Sequence, residues 1–114
     1  MTMATINLLM GIVGIFFAVG VALGALVYVR DGLRVQGIRR RLHYLSAAIL
    51  GVLAWGAYTT VGQDFARASD ARLLSEPADA VGLGAVVFFA LVAIAILTAN
   101  AIYWRRALRT YLQQ

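Results

Sequence analysis

The chain has 114 residues, of which 62% are hydrophobic and only 13% charged, and its mean hydropathy is +0.84. Those values lie outside the range of water-soluble domains and describe one small domain whose solvent is lipid. The chain has no cysteine, which excludes disulfides, thiolate catalysis, iron–sulfur ligation and S-acylation.

The first apolar run covers residues 6–29 without a charge, more than the ~20 residues that cross ~30 Å of hydrocarbon as a helix. It lacks the basic leader and short apolar core of a signal peptide, so it reads as a span. Projected at about 100° per residue, Gly11, Gly14, Ala18, Ala22 and Ala25 form one stripe, and the pair Gly20 and Gly24 falls on the other side. Helices in lipid associate through close approach of small residues, so two smooth faces call for two neighbours.

The connection at residues 30–43 holds Arg30, Arg34, Arg39, Arg40 and Arg41 against Asp31, a net charge of +4. Asp31-Gly32 reads as a turn and Gly37 as a break, which starts the next helix near Ile38. Arg39, Arg40 and Arg41 then lie in a first turn, where the helix dipole opposes each cation by about 0.3–1 kcal/mol. An anion is expected to offset them, either lipid phosphate or the carboxylates of a partner. His43 stands at the same edge, where it reads as an interfacial histidine and also as a candidate haem or quinone contact. It is the only histidine, so a haem would need its other ligand from a methionine or another chain.

The second span covers about residues 44–62, with a small-residue stripe through Ala47, Gly51, Ala54, Tyr58 and Gly62. Trp55 lies inside this span and reads as packed on a neighbouring helix, with contact to a pigment or quinone as the alternative. The connection at residues 63–79 is acidic, with Asp64, Asp70, Glu76 and Asp79 against Arg67 and Arg72, a net −2. Residues 64–74 fit a plain loop or a short interfacial helix. Ser75 with Glu76 and Pro77 suggests a helix start capped by Ser75. The third span, about 80–104, carries a looser stripe through Gly82, Ala85, Ala93 and Asn100, and its tail at 105–114 adds Arg105, Arg106 and Arg109.

By the positive-inside rule the first connection and the tail are cytoplasmic, and the N-terminus and second connection are outside. Tyr28, Tyr44, Tyr103 and Trp104 then share one face, the depth that such rings favour. All ten basic residues are arginine, the bias of a GC-rich genome, and the expected location is a prokaryotic plasma membrane. Arg30-Asp31, an arginine pair after it and Ala57-Tyr58 resemble the opening hairpin of microbial rhodopsins over less than half the chain. The absence of any lysine excludes a retinal Schiff base, and no family is assigned.

Every acidic side chain lies in the connections, whereas a proton-driven pump needs an ionisable group within the membrane. No zinc-type, P-loop, nucleophile or paired-carboxylate motif is present, and no aromatic residues interleave the arginines as in a nucleic-acid patch. The sequence therefore predicts an all-α, three-span, up-down-up integral membrane protein that is not an enzyme. Its expected role is a small non-catalytic subunit packed into a larger membrane complex, of the respiratory or photosynthetic kind, beside other membrane subunits and anionic lipid. No cofactor is demanded. Two alternatives stand beside it: a homo-oligomeric channel or transporter with Thr59, Thr60 and Asn100 along a polar path, and a haem- or quinone-binding subunit using His43.

Overall fold

The computed structural model describes residues 1–113. Among them the chain forms four helices and no strand: α1 (Met3–Gly32), α2 (Ile38–Ala68), the short α3 (Ala71–Leu74) and α4 (Ala80–Leu112). At 1.5 Å per residue the three long helices each reach about 45–50 Å, beyond the ~30 Å of a hydrocarbon core. All three are long and apolar enough to cross a membrane, as expected of an all-α integral membrane protein with three spans. The breaks follow local chemistry. Gly37, at φ 72°, supplies the left-handed residue that turns the chain into α2, a backbone state open to glycine without a Cβ penalty.

The long helices alternate in direction, and α1 is the central one. Along α2 the pairing is antiparallel, with Gly11 under Phe65, Gly14 under Val61, Gly24 beside Leu50 and Gly32 under Tyr44. Along α4 it is parallel, with Gly82 against Ile6, Gly20 against Ile96 and Arg30 joined to Tyr103. Among the described residues α2 and α4 make no backbone approach within 8 Å of each other. The chain's interior is accordingly small: Ala4, Ile6, Val21, Ala47, Val61, Ala93 and Asn100 are buried, all at helix contacts. Large side chains such as Phe16, Leu26, Val52, Phe88 and Leu91 point outward, which in hydrocarbon carries no hydrophobic penalty.

Both neighbours expected of α1 are thus present in the chain, but the faces differ from the fixed projection. Gly24 shares the α2 side with Gly14, and Gly20 alone approaches α4. Contacts of the α1–α2 seam fall at Gly11, Gly14, Tyr28 and Gly32, separated by a three, a double heptad and a four. Such a seam drifts about 20° per heptad around a straight helix, which carries Gly24 to the α2 side.

The end bearing the N-terminus is closed by backbone bonds. Met3 N–H donates to the Glu76 carbonyl at 3.0 Å and Ala78 N–H to the Met1 carbonyl at 3.1 Å, pairing Thr2 with Pro77. This contact ties residues 76–78 to the N-terminus outside any helix, so α4 does not begin behind Ser75. Its N-cap is Asp79, whose carboxylate accepts the Gly82 N–H at 2.7 Å, while the Ser75 hydroxyl donates back to the Arg72 carbonyl. Asp70 caps α3 in the same manner through Arg72 N–H.

A Cβ at Gly14 would lie 2.7 Å from Val61 Cγ2 and one at Gly20 2.8 Å from Ile96 Cγ2, whereas Gly84 faces open space. Gly14→Leu and Gly20→Leu should each destabilise the detergent-solubilised protein by about 1–3 kcal/mol, the usual effect of overpacking, and Gly84→Leu should not. Thermal unfolding followed by circular dichroism checks this.

Candidate functional site

Polar chemistry concentrates at the end opposite the N-terminus, where the arginine-rich connection meets the tail of α4. Arg30 ends the apolar run of α1 and Tyr103 lies at the matching level of α4, so the two side chains meet across the parallel pair. The Tyr103 hydroxyl donates to Asp31 Oδ1 at 2.6 Å and accepts from Arg30 Nη1 at 2.9 Å. The Arg30 guanidinium lies 5.6 Å from the Tyr103 ring centre and 6.0 Å from that of Trp104, near enough for cation–π attraction. Trp104 Nε1 is buried without an acceptor among the described residues. Beside this cluster a cavity of ≈ 550 Å³ opens between α1 and α4, with Arg30, Asp31, Arg34, Tyr103, Arg106 and Thr110 in its wall.

Arg40, in the first turn of α2, finds acceptors within the chain. Its Nε donates to the carbonyls of Gly32 and Val35 at 3.1 and 3.0 Å, and its Nη2 to that of Leu33 at 3.4 Å. These carbonyls belong to the last turn of α1 and the connection after it, where helical acceptors are orphaned and the dipole favours a cation. Arg39 and Arg41 are exposed. His43 Nδ1 bonds the Arg39 carbonyl at 2.7 Å, which makes Nδ1 the protonated nitrogen and leaves Nε2 free. Its ring lies 5.9 Å from that of Tyr28.

Deeper in the spans, Asn100 is the one buried polar side chain described. Its Nδ2 donates to the Gly20 carbonyl of α1 at 3.1 Å and to Ile96 of its own helix at 2.9 Å, while its Oδ1 has no partner among the described residues. The bare Gly20 backbone is what admits this bond. Thr59 and Thr60 both donate to the Gly56 carbonyl at 2.8 Å. Thr60 lies in the wall of an apolar cleft of ≈ 530 Å³ between α1 and α2, which Phe89 of α4 also lines. Asn100 sits in the α1–α4 contact instead, so these three groups do not share one path within a chain.

Trp55 differs from its expectation. No helix of this chain covers it: the side chain is 68% exposed, near the centre of α2, with its ring against Tyr58 of the same helix at 5.9 Å. Trp55 and Tyr58, itself 65% exposed, rim a groove of ≈ 660 Å³ whose floor is Ala18, Ala22, Ala25, Gly51 and Ala54. Of the residues expected to pack helices, Ala47 is buried in the seam, whereas Gly51 faces open space and Ala18 and Ala54 lie at the groove. His43 lies in the first turns of α2 and Trp55 near its middle, and none of the three cavities among the described residues includes both. Among the described residues no three His, Cys, Asp or Glu side chains cluster to hold a metal.

The Tyr103–Asp31 pair joins residues 72 apart in the chain, and its one mark in the sequence is that both lie just at the edge of an apolar run. No family model matches the chain, and no curated protein or solved structure matches it.

Removing the Arg40 guanidinium with Arg40→Gln should lower stability by about 1–2 kcal/mol, the combined scale of its charge-assisted hydrogen bonds and its favourable place at the carbonyl end of α1. Arg41→Gln, at an exposed position, should have little effect. Unfolding midpoints of the two variants in one detergent provide the comparison.

Proposed function

We propose that the chain is a small non-catalytic transmembrane subunit of a larger membrane assembly, with the N-terminus outside and the arginine-rich end in the cytoplasm of a prokaryotic cell. The observation that supports this best is Trp55. Tryptophan in membranes favours the headgroup depth, yet this ring stands 68% exposed near the middle of α2. Hydrocarbon offers its indole N–H no acceptor. A side chain of this kind presents a large area and one polar handle, the combination enriched at interfaces. The groove at its foot has a small-residue floor, the surface on which another span approaches closely in lipid. The charge order along the chain, basic connection, acidic connection and basic tail, supports the orientation.

The tagged chain, purified in mild detergent, should carry other membrane subunits with it. Trp55→Ala and Gly51→Leu should each release them while leaving helicity and thermal stability of the chain unchanged, because neither residue is covered by this chain's own helices. A single-component oligomer in place of foreign subunits would overturn the subunit reading in favour of a homo-oligomeric one. For the orientation, single cysteines at Ser69 and Gln113 should react with an impermeant thiol reagent from outside and from inside, respectively.

A further inference from the structure

The geometry points to a binding site for the phosphate of an anionic glycerophospholipid in the cavity between α1 and α4 at the basic end. Chemical order along its wall carries the inference. On α4 the lining begins with Ala99 and Ile102, nearer the apolar span, and continues through Tyr103, Arg106 and Ala107 to Thr110. On the other side it comprises Arg30 and Asp31 in the last turn of α1 and Arg34 in the connection just after it, again at the end of the apolar run. The deep end is therefore apolar and the outer end is basic, the order of an acyl chain below its headgroup.

Three arginines against one carboxylate leave this wall with an excess of positive charge. Asp31 accepts the Tyr103 hydroxyl, and Arg30 donates through Nη1 to the same hydroxyl, so these three form a braced side of the cavity. Arg34 and Arg106 are exposed, and among the described residues only Arg30 and Arg40 of the ten arginines donate side-chain hydrogen bonds to protein acceptors. Two uncommitted guanidinium groups, one on the connection after α1 and one on α4, suit the oxygens of a phosphodiester, which guanidinium matches in geometry and charge. A partner's carboxylate would satisfy the arginines but would leave the apolar floor without a counterpart. Basic pockets between spans are a known way to hold anionic headgroups. The site is complete within one chain and does not depend on the subunit reading.

Native mass spectrometry of the full chain in mild detergent, titrated with dioleoyl phosphatidylglycerol or dioleoyl phosphatidylcholine, tests the site. Phosphatidylglycerol should bind preferentially. The double variant Arg34→Gln/Arg106→Gln should weaken it on the order of tenfold, whereas Arg105→Gln/Arg109→Gln, with the same change in net charge but outside the cavity wall, should retain it. Phosphatidylglycerol should also raise the unfolding midpoint of the wild type and of the Arg105/Arg109 variant, and not that of the Arg34/Arg106 variant, whose lipid-free midpoint serves as the check on folding. Millimolar inorganic phosphate separates the sources: failure to displace the lipid supports a lipid site, and displacement would overturn it in favour of a soluble phosphoryl ligand. Equal loss in both double variants, or no preference over phosphatidylcholine, would also overturn it.

Discussion

The architecture hangs on the bare backbone of α1. Hydrophobicity cannot hold spans together in a solvent as apolar as their own side chains; what remains is close packing and the few interhelical hydrogen bonds that close packing allows. Gly11 and Gly14 receive Phe65 and Val61 of α2, and Gly20 receives Ile96 of α4. Gly20 also exposes its carbonyl to Asn100, so a single missing side chain permits both the contact and the bond. Because, among the described residues, no Cα of α2 comes within 8 Å of one of α4, α1 is the span on which each of them packs.

Polar bonds at the two ends complete what packing begins. At one end Thr2 and Pro77 pair through their neighbours' backbones. At the other, Arg40 occupies carbonyls at the end of α1, and the Arg30–Tyr103–Asp31 chain links α1 to α4. The connection rich in arginine is thus divided by role. Arg40 serves the fold, Arg30 braces two helices, and Arg34 remains open toward the cavity with Arg106. Cations and a structural clasp share this short connection because the orphaned carbonyls at the end of α1 attract both.

Much of this is legible in the sequence wherever the cause is local. Three uncharged runs define three spans, Gly37 marks the turn, and the small residues of α1 identify it as a helix with two neighbours. The helix faces are less legible, because a seam with a 3.5-residue repeat drifts around a straight helix and moves Gly24 from its projected side. Ser75 carries every local mark of an N-cap, but the pairing of residues 76–78 with the N-terminus, a contact distant in sequence, passes that role to Asp79. The same holds for Arg40 and for Tyr103 with Asp31: each bond joins residues whose proximity exists only after the helices assemble. Trp55 reads as a packed residue by its position in the span, but the chain leaves its ring 68% exposed, because no helix of this chain covers the face of α2 that carries it.

The central position of α1 is tested most directly by disulfide trapping in the cysteine-free chain. An added Cβ at Gly20 lies 3.6 Å from Ile96 Cβ, within the range a disulfide spans, whereas helices whose Cα atoms stay more than about 7 Å apart cannot be bridged. Cysteine pairs at Gly20 and Ile96, and at Gly14 and Val61, should oxidise readily in membranes, and a pair at Leu53 and Phe89, which face the cleft between α1 and α2 from α2 and α4, should not. Efficient trapping of the third pair, with failure of the first two, would contradict an arrangement in which α1 alone holds the other spans.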